Sequence, residues 1–165
     1  MLKKWMVVCG LLVATGLAPA LAAEKGEKPT LEGKTVAAKP FRLDTLRGKV
    51  VLVLFWSTDC AVCRDKMPEL RANAQGWAGK PFELVSVSAD RKLQDALDYE
   101  KIVARLVSAD QRFSLLWTGD VDYRDTFGKP VQLPTSYLLD KTGVVVEKYV
   151  GRIPPEAWDK IAELL

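Results

Sequence analysis

Two cysteines separated by two residues, Cys60 and Cys63, are the residues whose types and spacing best suit chemistry. At a helix N-terminus, thiols at this spacing can close a disulfide within a single turn. The unpaired N–H groups and the positive end of the helix stabilise a thiolate on the first cysteine. We therefore expect Cys60 to be a nucleophile and Cys63, one turn further into the helix, to be the thiol that resolves a mixed disulfide.

The composition excludes several other kinds of site. The 165 residues include no histidine, which removes Ser-His-Asp catalysis, Cys-His catalysis and histidine metal ligands. With 24 Lys and Arg against 21 Asp and Glu, the net charge is +3, and no clustered basic stripe indicates a nucleic-acid partner. The length fits one compact domain with a single core.

The N-terminus has the regions of a Sec signal peptide. Basic residues precede an apolar run of about 14 residues, and small residues follow it. We predict that residues 1–22, which include Cys9, are cleaved off, with an uncleaved anchor as the alternative; both export the domain. Residues 23–39 show no hydrophobic period and predict a flexible tether or an irregular first strand, so the folded domain is expected to span residues 40–165.

A structural disulfide and a metal site are the alternatives for the cysteine pair. A structural bridge usually joins distant segments, whereas this one closes a loop of about four residues, where the entropic gain is smallest. Zinc needs two further Cys or His ligands, which leaves only a site completed by carboxylates or by a second chain. A Cu(I) site on the two thiolates also stays open. A CxxC near a βαβ pattern favours the redox role.

The residues around the cysteines predict the elements that position them. Seven consecutive apolar residues, 50–56, predict a central strand buried on both faces. Residues 57–59, Ser-Thr-Asp, are all helix N-cap types, and apolar residues then recur at helical spacing as far as Gly79, with a kink expected at Pro68. A second buried strand over residues 82–88 completes a βαβ unit with parallel strands.

The rest of the chain completes the predicted sheet and its cover. The predicted elements are helices over residues 95–107, 120–127 and 154–165 and a hairpin with strands over residues 135–140 and 144–150. This order implies an α/β fold with a central mixed β-sheet flanked by helices on both faces.

Residues 51–70, VLVLFWSTDCAVCRDKMPEL, resemble the exported, thioredoxin-fold disulfide reductases of the TlpA/ResA type. Residues 133–140, LPTSYLLD, resemble the cis-proline strand of that family, and residues 141–143 resemble its hairpin turn. The resemblance extends over roughly residues 40–165. It implies a thioredoxin-like fold.

The resemblance also implies a substrate-binding surface. Pro134 is expected to follow a cis peptide bond and to pack beside the two cysteines, with the backbone of Leu133 pairing to an extended substrate segment. We expect Trp56 and Asp59 to complete this surface.

The sequence departs from the family at positions that affect thiolate stability and proton transfer. Asp59 stands where the family usually has Trp, and its carboxylate opposes a thiolate on Cys60, which favours the disulfide and therefore a reductant. An N-cap role for Asp59 is the alternative. The positions of the usual proton-transfer carboxylates hold Leu54 and Lys66, and we expect Lys66 to lie on the surface. The general base is left open among Asp59, Asp65 and Glu69.

Together these features predict a periplasmic thiol-disulfide oxidoreductase that reduces disulfides of exported proteins. We expect a monomer that needs no organic cofactor, binds no nucleic acid and has no membrane span after cleavage. A membrane electron donor of the DsbD or CcdA type, as the family typically uses, would restore the dithiol. The alternatives are a Cu(I)-binding copper-delivery module and a disulfide oxidant or isomerase. Peroxidase activity is disfavoured, because the Thr-x-x-Cys arrangement of peroxiredoxins is missing around Cys60.

Overall fold

The computed structural model describes residues 22–165. The strands are β1 (Leu31–Lys34), β2 (Pro40–Arg42), β3 (Val50–Trp56), β4 (Phe82–Ser88), β5 (Ser114–Trp117), β6 (Arg124–Asp125), β7 (Thr135–Leu139) and β8 (Val145–Val150). The helices are α1 (Ala61–Gly76), α2 (Leu93–Leu106) and α3 (Glu156–Leu164), with 3-10 turns at Leu43–Leu46 and Ala109–Gln111. None of the helices in this range is long and apolar enough to cross a membrane.

Five strands form one mixed sheet in the order β5-β4-β3-β7-β8. β3 pairs in parallel with β4 and antiparallel with β7, so Val53 lies between Val85 and Tyr137. All seven residues of β3 are buried, as expected for a central strand covered on both faces. The predicted α/β class, the central strand and the βαβ unit are therefore confirmed.

The three α-helices all cover one face of this sheet, whereas the sequence predicted helices on both faces. Leu52, Leu54 and Trp56 share an apolar cluster with buried residues of α1, α2 and α3. α1 and α2 lie on the same side because right-handed crossovers connect β3, β4 and β5, which follow one another across the sheet. On the second face, a 3-10 turn with the buried Leu43 is the only helical element that joins the apolar cluster among residues 22–165.

The N-terminal segment forms another part of the cover on the second face. β1 pairs with β2 and β6 in a three-stranded antiparallel sheet, and the side chain of Leu31 is buried. The backbone N–H of Ala23 donates to the carbonyl of Phe127 at 2.9 Å. The prediction of a flexible tether over residues 23–39 is wrong on this point, and the alternative of a first strand is correct. The predicted signal peptide lies outside the described residues, apart from Ala22.

The predicted helix over residues 120–127 is also wrong. The connection between β5 and β7 forms turns and the short strand β6 instead. Phe127 is completely buried, with its ring centroid 5.5 Å from that of Phe55 and 4.8 Å from that of Tyr137. Pairing of β6 with β1 replaces the hydrogen bonds that a helix would have supplied.

We predict that Leu31→Ala lowers the free energy of unfolding by about 2 to 5 kcal/mol, because truncation leaves a cavity under a side chain that is 1% exposed. Leu106→Ala is the matched control, since Leu106 is 76% exposed and its truncation should change stability by less than about 0.5 kcal/mol. Urea unfolding followed by circular dichroism measures both. Equally small effects would mean that the first strand is only a tether.

Candidate active site

The cysteine pair lies where β3 ends and α1 begins. Cys60 is the N-cap residue of α1, and its Sγ accepts a hydrogen bond from the backbone N–H of Cys63 at 3.2 Å. The two cysteines form a disulfide with Cα atoms 5.2 Å apart. The strand therefore delivers the first cysteine directly to the positive end of the helix, as the sequence predicted.

The two sulfurs differ in their access to solvent. Cys60 is partly exposed, whereas Cys63 is 2% exposed and belongs to the apolar cluster that includes Met67 and Leu70. An incoming disulfide can therefore reach Cys60 and not Cys63. This geometry suits the roles of nucleophile and resolving thiol expected from the sequence.

A buried carboxylate that sequence reasoning missed holds the residues before Cys60. Asp90 follows β4, and its Oδ1 accepts hydrogen bonds from the backbone N–H of Thr58 at 2.7 Å and from the Thr58 hydroxyl at 2.8 Å. The sequence signal was available, because polar residues just after parallel strands meet at one edge of the sheet. Asp90 follows the predicted strand over residues 82–88 by two positions.

Asp59 lies at the site, although it does not cap the helix. Its side chain is exposed, and Oδ1 accepts a short hydrogen bond from the Ser57 hydroxyl. Because Cys60 itself is the N-cap, the alternative N-cap role for Asp59 is wrong. The carboxylate remains next to Cys60 in sequence and on the solvent side.

Trp56 was expected on the substrate-binding surface, and this expectation is wrong. The indole is 1% exposed, and its N–H donates to the Ser86 hydroxyl at 2.7 Å. Its ring packs edge-on against Tyr99 with centroids 4.7 Å apart. Trp56 therefore supports the site from beneath, because alternation along β3 directs it to the face that the α-helices cover.

The segment Leu133–Pro134 lies at the same end of the sheet as the cysteines. Thr135 pairs with Phe55, so Pro134 comes beside the last residue of β3. The Leu133–Pro134 peptide bond is cis, Pro134 is buried, and Leu133 packs against the cluster that contains Cys63. Within residues 22–165, the backbone N–H and carbonyl of Leu133 have no hydrogen-bond partner.

The proposed general bases are engaged on the surface of α1. Asp65 forms an ion pair with Arg152 at 2.8 Å, and Glu69 forms a short ion pair with Lys66. Both carboxylates are exposed, whereas Cys63 is buried. They are surface ion-pair partners, and Lys66 is directed to Glu69 and not to the thiols.

The described part of the chain offers no ready-made metal centre. Among residues 22–165, no three or more Cys, Asp or Glu side chains cluster closely enough to hold a metal ion.

Comparison with known proteins gives the family. Residues 25–149 match the AhpC/TSA family. The chain belongs to that family. Thiol-disulfide oxidoreductase ResA of Bacillus cereus is 29% identical over 127 residues, which cover 76% of this chain and 68% of ResA. The thioredoxin-like protein YneN of Bacillus subtilis is 26% identical over 179 residues, covering 99% of each chain.

Solved structures of similar shape show the same fold. A thiol:disulfide interchange protein of the thioredoxin family from Chlorobium tepidum TLS has a TM-score of 0.66 at 25% identity, covering 87% of this chain and 97% of that one. A thiol:disulfide interchange protein from Bacteroides sp. has a TM-score of 0.64 at 23% identity, covering 86% and 90%. The predicted thioredoxin fold and the resemblance to ResA are confirmed. This member of the AhpC/TSA family is a thiol-disulfide oxidoreductase.

After reduction, we expect iodoacetamide to modify Cys60 at least about tenfold faster than Cys63, because only Cys60 is accessible and lies at the helix N-terminus. Peptide mass spectrometry of samples quenched over time measures both rates. The same protein in denaturant is the control, since unfolding should make the two rates similar. Equal rates in the folded protein would contradict the assignment of roles.

Proposed function

We propose that this protein is a periplasmic reductase of disulfides in exported proteins. The observation that carries the proposal is the partly exposed Cys60 at the start of α1, with Cys63 buried one turn behind it. In such a pair, one sulfur is accessible to a protein substrate, and the second is shielded until it attacks the mixed disulfide. The adjacent Leu133–Pro134 segment supplies a place for an extended substrate strand.

The two thiols would reduce a substrate disulfide in two exchange steps. The Cys60 thiolate attacks one substrate sulfur, a mixed disulfide forms, and the other substrate sulfur leaves as a thiolate that takes up a proton. Cys63 then loses its proton and attacks Sγ of Cys60, which breaks the bond to the substrate and releases the second thiol. The substrate has gained two electrons, and the protein holds the Cys60–Cys63 disulfide that the structure contains.

The free backbone groups of Leu133 are suited to bind the substrate. A substrate segment that pairs with this N–H and carbonyl would satisfy both groups. Such main-chain pairing does not depend on the substrate's side chains, which suits a reductase that acts on several exported proteins. Asp59 lies on the exposed rim of the same surface.

The charge next to Cys60 favours electron flow towards the substrate. A carboxylate beside a thiolate disfavours the charged form, so Asp59 offsets part of the stabilisation from the helix N-terminus. A dithiol/disulfide couple whose reduced form is less stabilised has a more negative reduction potential and is the stronger reductant. The pair is therefore expected to give electrons to most substrate disulfides.

The signal-peptide pattern of residues 1–22 supports the proposed compartment, and the compartment in turn calls for an electron supply. In an oxidising compartment the pair would remain a disulfide unless a donor reduced it again. A membrane donor of the DsbD or CcdA type would reduce this disulfide again. We expect the protein to be a monomer when it accepts these electrons.

In a periplasmic extract, Cys63→Ser should accumulate mixed disulfides with exported proteins through Cys60, because the thiol that releases them is missing. Non-reducing gels of thiol-blocked samples followed by mass spectrometry identify the adducts. The double variant Cys60→Ser/Cys63→Ser is the control and should trap none. If Cys63→Ser also traps none, the proposal of a reductase for exported proteins fails.

The reduction potential should lie below about −220 mV, as for a reductant. Asp59→Asn should make it less negative by about 10 to 30 mV, because removing the charge beside Cys60 stabilises the thiolate. Equilibration in dithiothreitol and glutathione buffers measures both values. Asp65→Asn is the control, with a change below about 5 mV, because Arg152 already pairs with that exposed carboxylate. A wild-type value above about −150 mV would indicate an oxidant.

A further inference from the structure

We propose that Asp90 is a positioning residue for thiol-disulfide exchange, which holds the residues before Cys60 in the geometry that starts α1. The proposal deepens the proposed function, on which its consequence for turnover rests. Its direct effect, on the reactivity of Cys60, can be measured without any substrate protein.

The carboxylate of Asp90 accepts three hydrogen bonds, two from Thr58 before α1 and one from Ser88 at the end of β4. Oδ1 accepts from the backbone N–H of Thr58 at 2.7 Å and from the Thr58 hydroxyl at 2.8 Å, and Oδ2 accepts from the Ser88 hydroxyl at 2.6 Å. Asp90 is 7% exposed, so water competes little for these bonds. Hydrogen bonds to an ionised carboxylate are among the stronger ones in proteins. The group is therefore a clamp between β4 and the connection to α1.

The backbone of Asp90 is fixed independently of its side chain. The N–H of Ala89 donates to the carbonyl of Trp56 at 2.7 Å, and the indole N–H of Trp117 donates to the carbonyl of Asp90 at 2.7 Å. The Trp117 ring lies over Gly119, where a Cβ would come within 2.3 Å of it. Three adjacent parallel strands thus support Asp90, and a rigid support lets the carboxylate impose a position on Thr58.

The turn that Asp90 holds leads directly to the nucleophile. Residues 57–60 connect β3 to α1, and the N–H of Cys60 donates to the carbonyl of Ser57 at 3.3 Å. In the oxidised protein the disulfide also ties Cys60 to the helix. In the reduced protein that tie is absent, and the hydrogen bonds between Thr58 and Asp90 keep the turn in place. Cys60 then stays at the helix N-terminus, where its thiolate is stabilised.

Two substitutions of Asp90 separate position from charge. Asp90→Ala removes the acceptor for both Thr58 donors. Asp90→Asn keeps an oxygen for Thr58 and removes the charge, and the Ser88 hydroxyl can accept from the new amide. If Asp90 acts by holding Thr58 in position, Asp90→Asn should retain the Cys60 reactivity that Asp90→Ala loses.

The chain offers a matched control at the other end of the sheet. Asp140 precedes the turn between β7 and β8 and accepts hydrogen bonds from the N–H of Thr142 at 2.8 Å and from its hydroxyl at 2.7 Å. Leu139 pairs with Val51, the second residue of β3, so this turn is remote from the cysteines. Asp140→Ala therefore removes a clamp of the same kind without touching the site.

The test is the rate constant for alkylation of Cys60 by iodoacetamide in the fully reduced proteins at pH 7. We expect about a tenfold fall for Asp90→Ala, a value within about threefold of wild type for Asp90→Asn, and one within about twofold for Asp140→Ala. Thr58→Val keeps the N–H donor and loses only the hydroxyl, and it should lower the rate about threefold. Thr58→Val decides the matter if Asp90→Ala does not fold.

Two results would overturn the proposal. If asparagine is as slow as alanine, Asp90 acts through its charge and not through position. If Asp90→Ala folds and its Cys60 reacts as fast as in wild type, the hydrogen bonds of Asp90 do not position Cys60. If Asp90→Ala does not fold, a wild-type rate for Thr58→Val leads to the same conclusion. Insulin reduction is measured in parallel on the same proteins. A wild type that fails to reduce insulin while the alkylation pattern holds would contradict the proposed function and support the role of Asp90.

Discussion

The central position of β3 is the constraint on which the rest of the site depends. Its residues are all buried, and it pairs in parallel with β4 on one side and antiparallel with β7 on the other. The end of β3, the end of β4 and the start of β7 therefore meet at one edge of the sheet. Cys60, Asp90 and Pro134 follow or precede these strands by only a few residues. Reversing any of the three strands would separate the nucleophile, the clamp and the proline.

The start of α1 combines a structural and a chemical role in one atom. The sulfur of Cys60 accepts a hydrogen bond from the N–H of Cys63, one of the N–H groups that a helix leaves unpaired at its first turn. A thiolate accepts such a bond more strongly than a neutral sulfur, which favours the reduced protein. The exposed carboxylate of Asp59 acts in the opposite direction. Both effects act on the stability of the Cys60 thiolate, which CxxC spacing alone does not determine.

Local sequence patterns predicted the elements whose stabilising contacts are contained in short windows. The strand over residues 50–56 and the CxxC chemistry are of this kind, because apolar runs and helix starts are short-range signals. The errors at Leu31 and Phe127 share one cause, the pairing of β1 with β6, two segments far apart in the chain. Asp90 was missed although the parallel pairing of β3 and β4 was predicted, because strand patterns do not show which polar side chain at that edge bonds to Thr58. Apolar patterns show which side chains are buried, and they do not show which distant partner buries them.

The cover of the second face also fixes one end of the stretch of this chain that is proposed to bind the substrate. Phe127 is completely buried at the start of the stretch that leads to Pro134, and the carbonyl of Pro134 accepts a hydrogen bond from the N–H of Gly151 at 2.8 Å. Between these fixed ends the chain is open to solvent, and Val131 is 97% exposed. A short segment anchored at both ends loses little conformational entropy when a substrate pairs with Leu133. Burial of an aromatic ring, on a face that no α-helix of residues 22–165 covers, therefore fixes one end of the stretch that leads to the backbone proposed to bind substrate.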